Sequence, residues 1–261
     1  MGLFKAATFN VNSVRSRLHI IIPWLDRHRP DILCMQETKV EDRKFPKDAF
    51  ENLGYRINAK GNKQYNGVAI ASREEPEEIR YGFDDDGPAD MDRIMIAVFK
   101  NLIVVNCYVP QGRDREDLQF DYKLEWFGRL RDHLEANASA KEHVLCLGDL
   151  NVAREEIDVH NPKRLKGHVD FTPEVWEKFD EVLSWGLSDI FRKHRPGVPE
   201  QYTFFDYRVQ KSVERKLGWR VDHILGTQSI CERSVESYID LAPRLAEKPS
   251  DHTILVAEFD F

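Results

Sequence analysis

The sequence has few cysteines, and none of them lie at the spacing of a metal-binding or disulfide motif. The four that occur among its 261 residues are far apart, and the first three lie within apolar runs: Cys34, Cys107, Cys146 and Cys231. Zinc knuckles and small disulfide scaffolds need closely spaced cysteines, so both classes are excluded. Buried thiols in a reducing compartment fit this pattern better, and we expect a cytoplasmic protein.

Long hydrophobic runs are also missing. No apolar stretch reaches the roughly 20 residues that cross a bilayer, and Lys5 is followed only by a short mixed segment, unlike a secretory signal. The sequence has no internal repeat, low-complexity tract or Gly/Ser linker. We therefore expect no membrane association, a single domain over residues 1–261, and a monomer.

An excess of positive charge is absent as well. The 38 Lys and Arg residues against 45 Asp and Glu residues give a formal net charge of −7. This balance argues mildly against a negatively charged partner that binds through the overall charge of the protein. Nucleic acid stays open, because an enzyme needs only a local basic rim, and a magnesium ion would add positive charge where carboxylates concentrate.

Apolar, strand-forming runs outnumber the helical patterns. We predict strands over 4–11, 32–37, 68–72, 93–99, 102–108, 143–147, 218–225, 235–239 and 253–259, with a weak strand near Ile79. Helices are predicted over 18–27 (with Pro23 near its first turn), 45–52, 118–136 and from Thr172 to about Trp185. Since most adjacent strands are joined as hairpins, two packed sheets flanked by helices fit best.

One stretch combines a buried strand with two reactive side chains. The run Val144–Leu147 ends in Gly148 and is followed by Asp149 and Asn151. At a strand end, the two-residue spacing places this acid and amide on the same side. Such a pair can take a proton and hold a charged oxygen, although the same letters also form an Asx-type turn.

Other polar residues follow the same placement at or just beyond predicted strand ends: Asn10, Glu37, Tyr108, Asp222, and Asp251 with His252. Several acids gathered at one edge would repel each other unless a cation lay among them, and oxygen ligands suit magnesium or manganese rather than zinc. Each residue also has a structural alternative. Glu37 could cap a strand and Asn10 form a turn, Asp222 could pair with Arg220, and Tyr108 and His252 could be packing residues. The repeated placement favours one shared site.

Seven segments resemble, in the same order, the motifs of the exonuclease III family of abasic-site endonucleases: Thr8–Asn12, Leu33–Lys39, Asn66–Ala69, Tyr108–Gly112, Gly148–Asn151, Gly218–Asp222 and Lys248–His252. Its superfamily includes DNase I and inositol polyphosphate 5-phosphatases. The resemblance implies an α/β fold, a four-layered sandwich of two packed mixed sheets flanked by helices. It also implies a magnesium-dependent nuclease that cleaves duplex DNA 5′ to abasic sites and trims 3′ ends.

The resemblance also implies roles for the site residues. Glu37 would be the principal magnesium ligand, with Asn10 and Asp251 contributing and manganese as a substitute ion. Asp149 would deprotonate or orient the attacking water, and Asn151 would hold that water and a phosphate oxygen.

The remaining catalytic candidates would act on the phosphate. Asp222 would fix the tautomer of His252, and Tyr108 would donate to the phosphate or help activate the water. Either Asp149 or the Asp222–His252 pair could be the base. We favour Asp149, because a protonated His252 is more useful as an electrostatic stabiliser.

Substrate residues follow from the same resemblance. Phe204, Trp219 and Val221 match an apolar pocket that admits a base-free deoxyribose and excludes an intact nucleotide by size. Ordinary core packing is their alternative. Residues of DNA-contacting segments form a second group, with solvated surface as their alternative: Arg15, which would grip a phosphate, Gln111 and Arg113.

Two positions depart from the family pattern, and two other functions compete. Asn12 stands where some relatives have Asp, which predicts a weaker metal shell, and Phe205 replaces a frequent Trp at the pocket rim. The competing functions are a phosphatase acting on inositol or sugar phosphates, and a DNA-binding module without activity. The aromatic pocket and Arg15 disfavour the first, and the complete set of acids, amides and His252 disfavours the second.

Overall fold

The computed structural model describes residues 3–261. Its strands are β1 (Phe4–Asn10), β2 (Ile32–Gln36), β3 (Arg56–Lys60), β4 (Val68–Ser72), β5 (Glu78–Tyr81), β6 (Ile94–Phe99), β7 (Leu102–Tyr108), β8 (Val144–Asp149), β9 (Leu187–Asp189), β10 (Asp222–Thr227), β11 (Ser234–Asp240) and β12 (Ile254–Phe259). Its helices are α1 (Val14–His28), α2 (Lys47–Glu51), α3 (Leu118–Asn137), α4 (Pro162–Leu165), α5 (Pro173–Ser184), α6 (Ile190–His194) and α7 (Gln228–Arg233). Three short 3₁₀ turns cover Asp42–Lys44, Glu156–Asp158 and Ala242–Leu245.

The strands form two six-stranded sheets. The first has the order β11-β12-β1-β2-β4-β3, and the second β5-β6-β7-β8-β10-β9. Both are mixed, because β1 pairs with β2 and β7 with β8 in parallel, whereas the other neighbours are antiparallel. This arrangement confirms the predicted fold class.

Three apolar layers hold the elements together. Side chains from the facing sides of the two sheets, such as Cys34 and Leu145, form the central layer. Helix α1 packs Ile21 and Leu25 on the outer side of the first sheet, and α3 and α5 cover the second. The order of layers is therefore helix, sheet, sheet, helix. The four cysteines are unpaired and buried, as predicted, and none of the helices described in residues 3–261 is long and apolar enough to cross a membrane.

The strand pairing brings the polar residues to one edge of the sandwich. Asn10 lies beside Gln36 in the parallel β1–β2 pair, and Tyr108 lies beside Asp149 in the parallel β7–β8 pair. Asp222 is paired with Asp149. It is the first residue of β10, whereas the sequence pattern placed it near the C-terminal end of a strand. Because β10 runs antiparallel to β8, the first residue of β10 reaches the edge at which β8 ends.

Other element boundaries differ from the sequence predictions. Helix α1 begins at Val14, so Pro23 lies inside the helix and not in its first turn. Of the predicted helix over 45–52, only Lys47–Glu51 is helical, as the short α2, and a 3₁₀ turn over Asp42–Lys44 precedes it. Strands β3 and β9 and helices α4, α6 and α7 were not predicted.

Candidate active site

The polar edge opens into a cleft of about 760 Å³. Eleven of the fourteen predicted site residues line it: Glu37, Tyr108, Gln111, Arg113, Asp149, Asn151, Phe204, Trp219, Val221, Asp251 and His252. Asn10 and Asp222 are fully buried and contact the lining residues from below. Arg15 is exposed on the first turn of α1 and is not among the lining residues.

Short polar contacts connect the predicted catalytic residues. The Asn10 amide donates to Asp149 Oδ2 and to Glu37 Oε1, at 2.8 Å each. His252 Nδ1 lies 2.8 Å from Asp222 Oδ2, and its Nε2 lies 3.7 Å from Asp149 Oδ2. Residues from 10 to 252 along the chain therefore share one hydrogen-bonded and ionic cluster.

His252 lies between two carboxylates. Burial acts to lower its pKa, but the negative charges of Asp222 and Asp149 and the Asp222 hydrogen bond outweigh burial and raise the pKa to about 10. The ring is therefore a cation at neutral pH. Its Nδ1–H donates to Asp222, which directs Nε2–H toward Asp149 and the cleft.

Asp149 is almost completely buried. Burial is the largest cause that raises its pKa to about 8, and Asp222 and Glu37 add to it, whereas His252 and the Asn10 hydrogen bond oppose it. The carboxyl group therefore has the proton affinity of a base that works near neutral pH.

Backbone geometry fixes Asn151 next to this carboxyl. Its φ is +48°, its amide N–H donates to Asp149 Oδ1 at 3.1 Å, and its side-chain amide donates to the Val109 carbonyl at 2.9 Å. Nδ2 is used in this bond, whereas Oδ1 accepts no hydrogen bond from any residue that the structure describes.

Tyr108 ends β7 at the cleft wall. Burial raises the pKa of its phenol well above the usual value, and the carboxylates of Glu37 and Asp149 raise it further. The guanidinium of Arg93 lies 4.9 Å from the centre of the Tyr108 ring. Tyr108 is therefore a neutral hydrogen-bond donor.

Oxygen atoms suited to a hard cation gather on the Glu37 side of the cleft. Lys39 Nζ lies 2.6 Å from both Glu37 Oε2 and Asn12 Oδ1, and Asn12 Nδ2 donates to Asp251 Oδ1 at 3.0 Å. Burial acts to raise the pKa of Glu37, but Lys39 and Asn10 outweigh it and lower the pKa, so the carboxylate is ionised. This donor set of carboxylates and amides fits magnesium or manganese. The sequence motif contained Lys39, but no role was predicted for it.

A second group of ligand atoms lies close by. Asp149, Asp222 and His252 place one ligand atom each within 4.8 Å of one another. One of these three ligands is the imidazole nitrogen of His252, whereas magnesium and manganese prefer oxygen ligands. The Glu37 side is therefore the better metal site.

The apolar part of the cleft is built around Trp219. Its backbone forms isolated bridges with Phe204 and Val159, and the ring centre of Phe204 lies 5.0 Å from that of His252. The expected effect of Phe205 on the pocket rim has no direct basis, since Phe205 is buried against Tyr202 and does not line the cleft.

Sequence reasoning missed several residues that line the same cleft: His160, Arg164, His168, Arg208 and Arg215. The His168 ring lies 4.7 Å from the Trp219 ring. The signal for Arg208 and Arg215 was the local enrichment of Lys and Arg over 208–216. Arg113 is exposed and lies 4.0 Å from Asp117.

The alternative assignment of Asp222 as a partner of Arg220 is wrong. Arg220 is fully buried, and its guanidinium pairs with Asp158 at 2.7 Å and with Asp189 at 2.8 Å. The Asp222 carboxylate is therefore left to the His252 ring.

Comparison with known proteins agrees with this fold and this site. The model of the endonuclease/exonuclease/phosphatase family matches residues 7–252. The chain therefore belongs to this family, and within it to the exonuclease III group that the sequence motifs resemble.

Particular relatives extend over almost the whole chain. Exodeoxyribonuclease III of Haemophilus influenzae is 36% identical, over 98% of this chain and 99% of its own length. The structure of an AP endonuclease from Archaeoglobus fulgidus is 50% identical with a TM-score of 0.96, and covers 99% of this chain and 100% of that one. A 3′ phosphatase from Neisseria, bound to a product DNA hairpin, is 33% identical with a TM-score of 0.93 over 99% and 100% of the two chains.

Proposed function

We propose that the protein is a magnesium-dependent DNA repair nuclease. It hydrolyses the phosphodiester 5′ to an abasic site in duplex DNA, leaves a 3′-hydroxyl, and removes nucleotides or blocking groups from 3′ ends. The observation that carries the proposal is the convergence of Glu37, Asp149 and His252 in one cleft that continues into the apolar surface of Trp219. DNA as the substrate class is supported by the similar Neisseria phosphatase, whose structure contains a product DNA hairpin.

Glu37 and Asp251, with Asn10 beside them, are the residues proposed to hold magnesium, and manganese is the proposed substitute. When bound, the ion supplies positive charge against the phosphate oxygens. Asn12 contributes no charge to this set, and Lys39 already neutralises Glu37. We therefore expect weaker ion binding than in a site that has Asp at position 12.

The side chains on the other side of the cleft act on water and phosphate. Asp149 takes the proton of the attacking water, and Asn151 Oδ1 orients that water. The water oxygen forms a bond to phosphorus while the bond to the 3′-oxygen of the preceding nucleotide breaks in line, and the leaving 3′-oxygen takes a proton from solvent to become the 3′-hydroxyl. The His252 cation faces the phosphate, and the neutral Tyr108 phenol donates to it, so both stabilise negative charge as it develops.

Trp219, Phe204 and Val221 are proposed to receive the base-free deoxyribose. Trp219 and Phe204 are half-buried and Val221 is buried, so they form a shallow wall and not a deep tunnel. A sugar without a base fits against such a wall, whereas an attached base adds bulk and must be unstacked first. Gln111, Arg113 and Arg15 are proposed to contact the DNA strand, with phosphate as the partner of Arg15.

Replacement of Asp149 by asparagine tests this proposal. The substitution keeps the size of the side chain and removes the base, so cleavage of an abasic-site duplex should fall by several orders of magnitude while DNA binding is largely retained. Single-turnover cleavage and fluorescence anisotropy with the same duplex measure the two effects.

Asp26→Asn is the matched control. Asp26 is an exposed carboxylate near the end of α1, and its ion pair is with Arg29, the residue that follows this helix. Cleavage by this variant should equal that of the unmodified protein. Unchanged turnover in Asp149→Asn would refute the role of Asp149, and hydrolysis of inositol or sugar phosphates in preference to the duplex would refute the substrate class.

A further inference from the structure

A lysine from α3 ends in the middle of the loops that form the cleft. The Lys123 side chain has no exposed surface. Its ammonium, which has three N–H donors, lies within hydrogen-bond distance of four oxygens: the Asn151 carbonyl at 2.6 Å, Asp170 Oδ1 at 2.6 Å, the Val169 carbonyl at 2.9 Å and the Gln111 carbonyl at 3.2 Å. Only one of these partners is a carboxylate.

The four oxygens belong to three separate segments, which we call the clamped loops: residues 109–113, 150–153 and 168–170. The first follows Tyr108 and contains Gln111, and the second contains Asn151. The third carries His168, whose ring packs on Trp219. The Ala153 amide also donates to the Asp170 carbonyl at 2.8 Å, which joins the second and third loops. One ammonium thus connects the catalytic part of the cleft with its apolar part.

Asn151 depends most directly on this contact. It holds a left-handed backbone conformation, which costs free energy for a residue other than glycine. The Asn151 amide N–H is bound by Asp149, its side chain by Val109, and its carbonyl by Lys123. Among residues 3–261, Lys123 is the only hydrogen-bond donor to this carbonyl, so loss of the ammonium leaves the carbonyl without a partner there.

A purely stabilising role would not require a lysine here. Burial of an ammonium carries a large desolvation cost, and apolar replacements of buried ion pairs are often neutral or stabilising. At two neighbouring positions of α3 the buried side chain is apolar: Trp126 and Phe127. A cation with several donors is instead suited to fixing carbonyls at defined positions.

We propose that Lys123 is a positioning residue for hydrolysis, which acts on the reaction through Asn151. The inference rests on the proposed function, since it assigns Asn151 to the attacking water. Small displacements of a positioned group cost about 100-fold in rate. Lys123 does not line the cleft, and its contact with the Asn151 carbonyl is shorter than its contacts with the Val169 and Gln111 carbonyls, so its removal should lower kcat far more than it changes KM for DNA.

The test compares Lys123→Met with a double variant, Lys123→Met with Asp170→Asn. Methionine keeps the volume of the side chain, and the second change removes the carboxylate that would otherwise be buried without a partner. Both variants should lower kcat on an abasic-site duplex about 100-fold, with KM changed by less than about threefold. If Lys123→Met does not fold, the double variant carries the same prediction without the unpaired charge.

Arg129→Met is the control for a general loss of stability. Arg129 is a second buried cation of α3, and it holds Asp85, Asp90 and the Pro88 carbonyl in a different loop. Its kcat should stay within about twofold of the unmodified protein, measured below the melting temperature of every variant. A drop equal to that of Lys123→Met would show a merely structural role.

A double-mutant cycle with Asn151→Ala tests whether Lys123 acts on the reaction through Asn151. The rates are measured under single-turnover conditions with excess enzyme. In the Asn151→Ala background, Lys123→Met should change the rate by less than about threefold. A full 100-fold loss in that background, or less than a threefold loss of kcat in both Lys123 variants, would overturn the proposal. Normal activity of Asn151→Ala itself would instead contradict the proposed function of the site, so the two failures are distinguishable.

Discussion

The pairing of His252 with Asp222 decides the charge that the cleft presents to a phosphate. The nearest alternative partner of Asp222 is Arg220, but this residue is committed to Asp158 and Asp189. His252 therefore keeps the Asp222 carboxylate 2.8 Å from Nδ1 and the Asp149 carboxyl group 3.7 Å from Nε2. A cation at this position attracts the substrate phosphate and stabilises charge during cleavage.

This pairing predicts an unusual titration of His252. In metal-free protein the ring should be doubly protonated at pH 8 and lose its proton only as the pH rises through about 10. Because the folded-state pKa exceeds the unfolded value of about 6.5, the pair contributes stability that is complete below pH 6.5 and is lost between pH 6.5 and 10. Asp222→Asn should lower this pKa. Nitrogen-15 chemical shifts of the ring measure it.

The matched internal control is His28, whose pKa is lowered, with burial as the largest cause. Its ring should be neutral at pH 8 in the same spectra. A neutral His252 ring at pH 8 in the unmodified protein would refute the proposed cation, and an unchanged pKa in Asp222→Asn would refute its cause.

At the scale of elements, Gly148 allows β7 and β8 to approach at the cleft. Its φ is +146°, and an added Cβ would lie 2.0 Å from the Cys107 carbonyl oxygen. This glycine therefore lets the β8 backbone place Asp149 beside Tyr108. Only a residue without a side chain fits this contact.

Gly148→Ala should accordingly destabilise the protein by about 2 kcal/mol or more, because both the conformation and the contact are incompatible with a methyl group. It should also lower cleavage, since the strand end that carries Asp149 would shift. Urea unfolding monitored by circular dichroism measures the free energy.

Gly128→Ala provides the opposite case. Gly128 lies inside α3, and an added Cβ would meet nothing within 4 Å. The variant should be more stable by roughly 0.5–1 kcal/mol. Equal stability of the two variants would contradict the account of Gly148.

The sequence predicted most elements because their apolar runs are strong local signals. It missed β3, which carries Arg56, Lys60 and only one buried residue. The start of α1 was placed too late because three of the four residues of its first turn, Val14–Arg17, are polar and interrupt the apolar pattern, although Ser13 is a residue type favoured at helix N-caps. The position of Asp222 depended on the direction of β10 relative to β8, which no local pattern contains.

The same distinction applies to the site. Acids and amides at strand edges were recognisable by type and placement, but Lys123 and His168 were not. Their contacts join segments that are remote along the chain, such as Lys123 with Asp170 and His168 with Trp219. Lys123 also lies next to the apolar stripe of an amphipathic helix, where the sequence pattern predicts a solvated lysine.

At the scale of the whole molecule, charge is distributed unevenly. The chain has a formal net charge of −7, yet arginines line the cleft at positions 113, 164, 208 and 215. Carboxylates occupy the floor of the same cleft, where we propose that magnesium binds. A local basic rim around an acidic centre is suited to a DNA backbone whose scissile phosphate meets a divalent cation.

The most direct test of this account is cleavage of three matched duplexes by the full chain: one with an abasic site, one with a recessed 3′ end and one with neither. Each is assayed with magnesium and with a chelator. The account predicts an incision 5′ to the abasic site and trimming of the recessed 3′ end, both only with magnesium, and an intact third duplex in both conditions. Cleavage of any duplex in the chelator, or equal cleavage of all three with magnesium, would contradict it.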